Sequence, residues 1–454
     1  MEGLIFSVSG ARGVVGQGLD PLVLTEIAAH FGQFVGPGTV VVGRDSRVSG
    51  EMAMAAVTAG LVGVGNDVVD IGLASTPTVE VAIREANAVG GIQISASHNP
   101  AEWNALKLLS SRGIFLTADE GAQLKAQRDA GRPKFKRYDE LGKATKRHDF
   151  NDRHVAEILA SPLVKEDDVR KRAPKVVVDC VAGVGGPIAA LLLEKLGAGE
   201  VHFLHAEPTG LFPRVPEPLP ENLTELGDAV KKAGADIGFA LDPDADRVAV
   251  VDENGRPIGE EVTLAVVVDS FLPILGGDVV VNVSTTMAID DVAKRHGANV
   301  HRTPVGEVNV TEKMLAIGAK IGGEGNGGVI VPAVNPGRDG LLGMALWLTA
   351  LANENATTSE LAGRIPATVM RKDKVGIEGV DVESVLAELP SAFEGWQVDH
   401  TDGLKLISAD GWVHVRKSNT EPILRLLAEA RTAEAVDSIL GSARDVVERA
   451  GAAS

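Results

Sequence analysis

A triple valine occurs three times in this chain, each time with the same kind of continuation, and that repeat constrains the fold more than any other feature. TVVVGRDSRVSGEMAMAAVTAGLVGVGNDVVDIG runs from Thr39 to Gly72. KVVVDCVAGVGGPIAALLLEKLGAGEVHFLH starts at Lys175, and DVVVNVSTTMAIDDVAKRHGANVHRTP starts at Asp278. Each reads as a strand, a turn of small polar residues, a helix closed by glycine, and a second strand. A further helix and strand follow in TPTVEVAIREANAVGGIQIS, NLTELGDAVKKAGADIGFAL and VNVTEKMLAIGAKIG. Continuous apolar strands alternating with helices bury both faces of a sheet, so the sheets are expected to be mostly parallel. Self-similarity on this scale predicts three related α/β domains rather than one large sheet.

From about Ala367 the pattern changes. LKLIS-ADG-WVHVR reads as a hairpin, followed by SNTEP, the strand ILRLLAEA and the helix TAEAVDSILGSARDVVERA. The fold class is therefore α/β, three similar domains with mostly parallel mixed sheets and a smaller C-terminal α+β domain. The expected boundaries are 1–150, 151–252, 253–366 and 367–454.

Each repeat ends on an unusual polar loop: SASHNP, then DPDADR, then GEGNGG. Open α/β sheets bind ligands at the carboxyl ends of their strands. Any one of these loops could be an ordinary surface turn, since Gly, Asn, Pro and Asp dominate turns. Their matched positions point instead to one shared cleft.

Asp242, Asp244 and Asp246 alternate with Pro243 and Ala245. In an extended segment, side chains two apart share a face, so three carboxylates converge. Three like charges so close repel unless a cation neutralises them, and hard oxygen ligands suit Mg²⁺ or Ca²⁺. An EF-hand is the sharpest rival, with Glu253 at the twelfth position, but Arg247 stands where glycine is needed and a strand precedes the loop. Ser97, in ISASHNPAEWNALK, has His98, Asn99-Pro100 and Lys107 around it. Serine before a turn commonly caps a helix. Beside an acidic metal loop it reads as a phosphoserine whose oxygens complete the cation's shell.

Arg416, Ser418, Asn419, Thr420 and Arg425 in VRKSNTEPILR combine hydroxyls, an amide, backbone N–H groups and guanidinium forks, a phosphate-binding set. Glu324 and Asn326 in GEGNGG suit sugar hydroxyls. Near the N-terminus SGARG supplies Ser9 and Arg12, and GRDSR supplies Arg44 and Arg47. Of these, Arg12 is the expected phosphate contact and the GRDSR pair reads equally well as surface charge.

Bulk properties narrow the class. A chain of 454 residues holds roughly three domains or more. Its net charge of −18 argues against general nucleic-acid binding, which depends on basic surfaces. One cysteine, Cys180, permits no internal disulfide and fits a reducing cytoplasm, the expected location. No leader opens the chain and no apolar run spans a bilayer, so no membrane partner is expected.

The ordered set SGARG, SASHNP, DPDADR, GEGNGG and RKSNTEP resembles the α-D-phosphohexomutase family over essentially the whole chain. The resemblance implies a heart-shaped four-domain enzyme with phosphoserine at Ser97. One Mg²⁺ per chain would be held by that group and by Asp242, Asp244 and Asp246. Arg247 and Lys107 are implied beside the reacting phosphate, Glu324 and Asn326 on sugar hydroxyls, and Arg416, Ser418, Asn419 and Thr420 on the non-transferring phosphate. A sugar 1,6-bisphosphate is implied as activator. The general base is expected to be Lys107 or His98, lowered in pKa by the adjacent cation.

Two departures stand out. Ala105 replaces a glycine common in NALK-type segments, and GEGNGG replaces the bacterial GE-x-SGH, as in the archaeal-type branch. The expected substrate is a hexose or hexosamine phosphate, glucosamine 6-phosphate converted to its 1-phosphate, with dual glucose and mannose specificity as the alternative. A Mg²⁺-dependent sugar phosphatase is the alternative of different class; it would not need Ser97. The expected assembly is a monomer or homodimer.

Overall fold

A computed structural model describes residues 4–7, 10–377, 381–417 and 423–452. All nine valines of the three triplets are fully buried, because helices cover both faces of each sheet. This is the environment their unbroken apolar runs demand.

The three repeats share one topology. In the second, the strands lie in the order Val201–Leu204, Val176–Asp179, Ile237–Leu241, Val248–Asp252. In the third the order is Val300–Thr303, Val279–Asn282, Ile321–Glu324, Gly328–Ile330. In both, three strands are parallel and the last is antiparallel. The first repeat has the same four, Asp67–Leu73, Thr39–Arg44, Gly90–Ile94 and Trp103–Ser110. Its sheet is extended by Gly10–Val15, Leu4–Ser7 and Gly18–Leu19 at one side and Ala144–Lys146 at the other. The fourth, antiparallel strand was not read from the sequence. It makes each polar loop a hairpin connection at the carboxyl end of the third parallel strand.

The second and third units share one continuous core. The helix Gly340–Glu354 follows the third sheet and is apolar all round, with Trp347 fully buried and its indole N–H donating to the Thr263 carbonyl at 3.1 Å. The C-terminal unit has its own core beneath a five-stranded antiparallel sheet, ordered Val369–Gly376, Ile423–Ala430, Gly411–Lys417, Leu404–Ile407, Gln397–Asp399, with the helix Ala433–Ala452 packed on it. The expected hairpin is present, Leu404 facing Val415 and Ile407 facing Trp412.

That unit docks on the third through buried polar groups. Lys405 Nζ donates to the Val283 carbonyl at 2.6 Å, and Glu429 accepts from the Met287 amide and the Trp412 indole, each at 2.7 Å. His414 lies between Ser284 Oγ, 3.0 Å from Nδ1, and the Asp402 carbonyl, 2.5 Å from Nε2. Among the described residues, no helix is long and apolar enough to cross a membrane.

Candidate active site

Ser97 does not cap a helix. Its backbone is left-handed, φ 48°, and the chain turns on through 98–102 into the strand Trp103–Ser110. A serine held in this sparsely populated region needs its surroundings to fix it. Arg47 does so. Its guanidinium donates to the carbonyls of Ser97 (2.7 Å), Asn99 (2.7 Å), Pro100 (2.6 Å) and Trp103 (2.9 Å), and to Asp45 Oδ2 at 3.0 Å. Asp45 also accepts from Ser95 Oγ at 2.7 Å, and Ser95 Oγ accepts from the Ser97 amide at 2.9 Å. Reading Arg47 as surface charge is corrected here: it is 1% exposed. Arg44 does meet that reading, pairing with the exposed Glu51. Arg12 donates to Asn99 Oδ1 at 2.7 Å, on the same loop.

The Ser97 hydroxyl donates to Asp242 Oδ2 at 2.9 Å and lies 3.3 Å from His98 Nδ1. Asp242, Asp244 and Asp246 are completely buried, with one oxygen from each lying within 4.8 Å of the others. They converge through a turn, not through strand alternation as expected. Ala245 is left-handed (φ 53°) and its amide returns to the Asp242 carbonyl at 3.0 Å. The EF-hand alternative falls on position as well, since Glu253 accepts from the Ser359 amide at 3.0 Å and serves that helix. Burial, with the repulsion of Asp246 and Asp244, pushes Asp242 well above the ordinary carboxylate range. Oδ1 of Asp244 and Oδ1 of Asp246 are buried and have no hydrogen-bond partner. Three hard oxygens, two of them otherwise unsatisfied, fit a small divalent cation such as Mg²⁺.

Lys107 Nζ pairs with Asp244 Oδ2, with Asp246 Oδ2 at 3.2 Å, and with Thr76 Oγ1 at 3.3 Å. Burial works against its charge, but Asp244 and Asp246 outweigh it and hold the ammonium above the ordinary lysine range. Burial, with Arg247 and Arg12 close by, holds His98 well below the ordinary histidine range. The substitution at Ala105 leaves Lys107 in register, with Ala105 opposite Arg12 and Lys107 opposite Gly10.

Arg247 has its amide on Asp242 Oδ1 at 3.3 Å and its guanidinium between Asp246 (3.6 Å) and Glu217 (3.8 Å). Glu324, at the end of Ile321–Glu324, accepts from Asn282 Nδ2 at 2.8 Å and from the Gly306 amide at 3.1 Å. Asn326 Nδ2 reaches Glu324 Oε2 at 3.5 Å, while its Oδ1 is buried without a partner. Arg416 and Arg425 are direct cross-strand partners, and Arg416 Nη1 lies 3.7 Å from Asp402 Oδ2. Ser9, Ser418, Asn419 and Thr420 lie outside the described residues.

Sequence reasoning missed Thr76, whose hydroxyl donates to Asp244 Oδ2 at 2.5 Å, and Arg338. The Arg338 guanidinium joins Asp246 and Glu324, each at 2.7 Å, and Glu307 at 3.0 Å. The one signal for Arg338 was an arginine between glycines in NPGRDG, at the mouth of the third repeat.

Three α/β units that aim a serine, an acidic triad and a carboxylate–amide loop at one cleft, with a fourth unit beside it, define a four-domain sugar-phosphate mutase. Family models agree unit by unit. Phosphoglucomutase/phosphomannomutase α/β/α domains I, II and III match residues 3–134, 152–255 and 261–369, and the C-terminal domain matches 368–446. The chain belongs to the phosphoglucomutase/phosphomannomutase family and is an isomerase. It is 40% identical over 444 residues to a phosphoglucomutase/phosphomannomutase of Thermococcus kodakarensis, covering 95% of this chain and 96% of that one. It is 36% identical to a probable phosphoglucosamine mutase of Methanopyrus kandleri, covering 98% of each. A solved phosphoglucomutase/phosphomannomutase family protein from Burkholderia thailandensis superposes with TM-score 0.86 at 30% identity, covering 98% of this chain and 97% of that one.

Proposed function

We propose that the chain interconverts the 1- and 6-phosphates of a hexose through a phosphorylated Ser97 and a sugar bisphosphate. The observation that carries this reading is the Ser97 hydroxyl, fixed by Arg47 and hydrogen-bonded at 2.9 Å to Asp242 of the acidic triad. A phosphatase built on the same aspartates would have no use for it.

In the first half-reaction a sugar hydroxyl attacks phosphoserine 97. The bond between phosphorus and serine oxygen breaks, a base takes the sugar hydroxyl proton, the serine oxygen takes up a proton to become a hydroxyl again, and a sugar 1,6-bisphosphate results. The bisphosphate turns over in the cleft, and its other phosphoryl group returns to Ser97. His98, 3.3 Å from Ser97 Oγ and held neutral, is proposed as the base that takes the serine proton when Ser97 attacks the bisphosphate in the second half-reaction. Lys107, held protonated, spreads positive charge toward the phosphoryl oxygens, as do Arg247 and Arg12. Asp242, Asp244 and Asp246 would hold Mg²⁺ with the serine phosphate; when bound, the cation neutralises developing charge on the phosphoryl group. Glu324 and Asn326 take the sugar hydroxyls. Arg416 and Arg425, with Ser418, Asn419 and Thr420, take the phosphate that is not transferred. The boundaries 1–150, 151–252, 253–366 and 367–454 are proposed with this division of labour.

Glucosamine 6-phosphate is proposed as the preferred substrate. Its support is the GEGNGG form of the sugar loop and the 36% identical relative named a probable phosphoglucosamine mutase. Dual glucose and mannose specificity is the second reading, favoured by the name of the 40% identical relative.

The deciding experiment compares kcat/KM on the 6-phosphates of glucosamine, glucose and mannose with Mg²⁺ and a hexose 1,6-bisphosphate. Intact mass should show one phosphoryl group, lost in Ser97→Ala. A group mapped to another residue would overturn the Ser97 assignment, and a mannose preference would overturn the substrate choice.

A further inference from the structure

The segment 331–339 joins the last strand of the third sheet to the helix Gly340–Glu354, and its end is pinned from both sides. The Arg338 amide donates to Glu307 Oε1 at 3.1 Å, and the Gly340 amide donates to the Ala245 carbonyl of the acidic loop at 3.2 Å. Asp339 Oδ1 caps the helix by accepting from the amides of Leu341 and Leu342, each at 3.0 Å. A side chain at 340 would press on the carbonyls of Ala245 (2.8 Å) and Arg247 (2.9 Å). The Arg338 backbone therefore moves only if the acidic loop moves with it.

Its side chain closes a second connection. Nη2 meets Asp246 Oδ2 and Nη1 meets Glu324 Oε2, both at 2.7 Å. Asp246 comes from the second unit and Glu324 from the third. A guanidinium is a rigid planar fork, so two carboxylates on its two Nη groups are held at one separation and orientation. The room for it comes from Gly328, where any side chain would collide with Arg338 Cδ. Gly328 is the position at which the GE-x-SGH pattern carries histidine.

We propose that Arg338 is a positioning residue that locks the acidic loop to the sugar loop, fixing where the sugar lies relative to the phosphoryl group. The inference rests on the mutase reading above and deepens it. A lysine would retain charge but could not bridge both carboxylates in fixed geometry.

The test is a double-substitution cycle in the full chain, measured with Mg²⁺, a hexose bisphosphate and a sugar 6-phosphate. Arg338→Met and Glu324→Gln are each expected to lower kcat/KM by about 100-fold, with both kcat and KM affected. Together they should lose little more than the worse single substitution, because Arg338 acts through Glu324. Phosphoryl content at Ser97, read by intact mass after incubation with the bisphosphate, should stay near wild type. Should Arg338→Met fail to fold, Arg338→Lys carries the cycle, since it keeps the buried charge. Independent losses that multiply, or an unchanged kcat/KM, would overturn the proposal with the mutase reading intact. A wild-type chain inactive on every sugar phosphate would overturn both.

Discussion

The Ser97 hydroxyl and the Asp242 carboxylate are 145 positions apart in sequence and 2.9 Å apart in space. The serine of the first unit thus donates its hydrogen bond to the second. Removing the cation should separate this pair's chemistry from its geometry. EDTA is expected to lower turnover at least 1,000-fold, an order of magnitude set by the charge neutralisation lost at phosphoryl transfer, and added Mg²⁺ should restore it. Asp244→Asn should show the same loss without rescue at ordinary Mg²⁺. Full turnover in EDTA would end the metal assignment.

Arg47 is a stability prediction as well as an activity one. Arg47→Met leaves Asp45 buried without its cation and strips four carbonyls of their donor. Breaking a buried pair from one side costs about 3–5 kcal/mol. Chemical denaturation should show a loss of that size. Turnover per folded molecule should also fall at least tenfold, on the order expected for a displaced nucleophile. Unfolding at the wild-type midpoint would contradict the clamp.

His414 makes the docking of the C-terminal unit sensitive to acid. Burial holds its pKa down to about 4, against an ordinary value near 6.5. The neutral ring is the form the interface accepts. Its contribution is therefore complete above about pH 6.5 and is lost as pH falls toward 4, with a ceiling of about 3 kcal/mol. Thermal unfolding between pH 7 and 4 should be steeper for wild type than for His414→Gln. Parallel pH profiles would remove His414 from the account.

Much of the architecture was legible because an unbroken valine run has few physical destinations. Buried parallel strands follow from it, and strand-end loops follow from those. The acidic triad was legible as a composition but not as a shape, since the left-handed turn at Ala245 has no glycine to announce it. The antiparallel fourth strands were missed although Asn99-Pro100 and Gly325 with Gly327 mark turns before them, because WNALKLLS is interrupted by polar residues and GVI is only three residues long. Arg47 and Arg338 were illegible for a different reason. An arginine reads the same on a surface as in a core, and what distinguishes these two is acceptors scattered along the chain: Ser97 and Trp103 for one, Asp246 and Glu307 for the other. Ser97 itself was found by its neighbours, while the network that fixes its backbone was not.

Three copies of one fold each place a different hairpin at the same cleft, so no single copy owns the reaction. Turnover is in effect a logical conjunction: every unit must be folded and docked at once for any product to form. Loss of turnover should accordingly precede loss of secondary structure under mild denaturant, making the reaction an early alarm for the undocking of the C-terminal unit, whose core is its own.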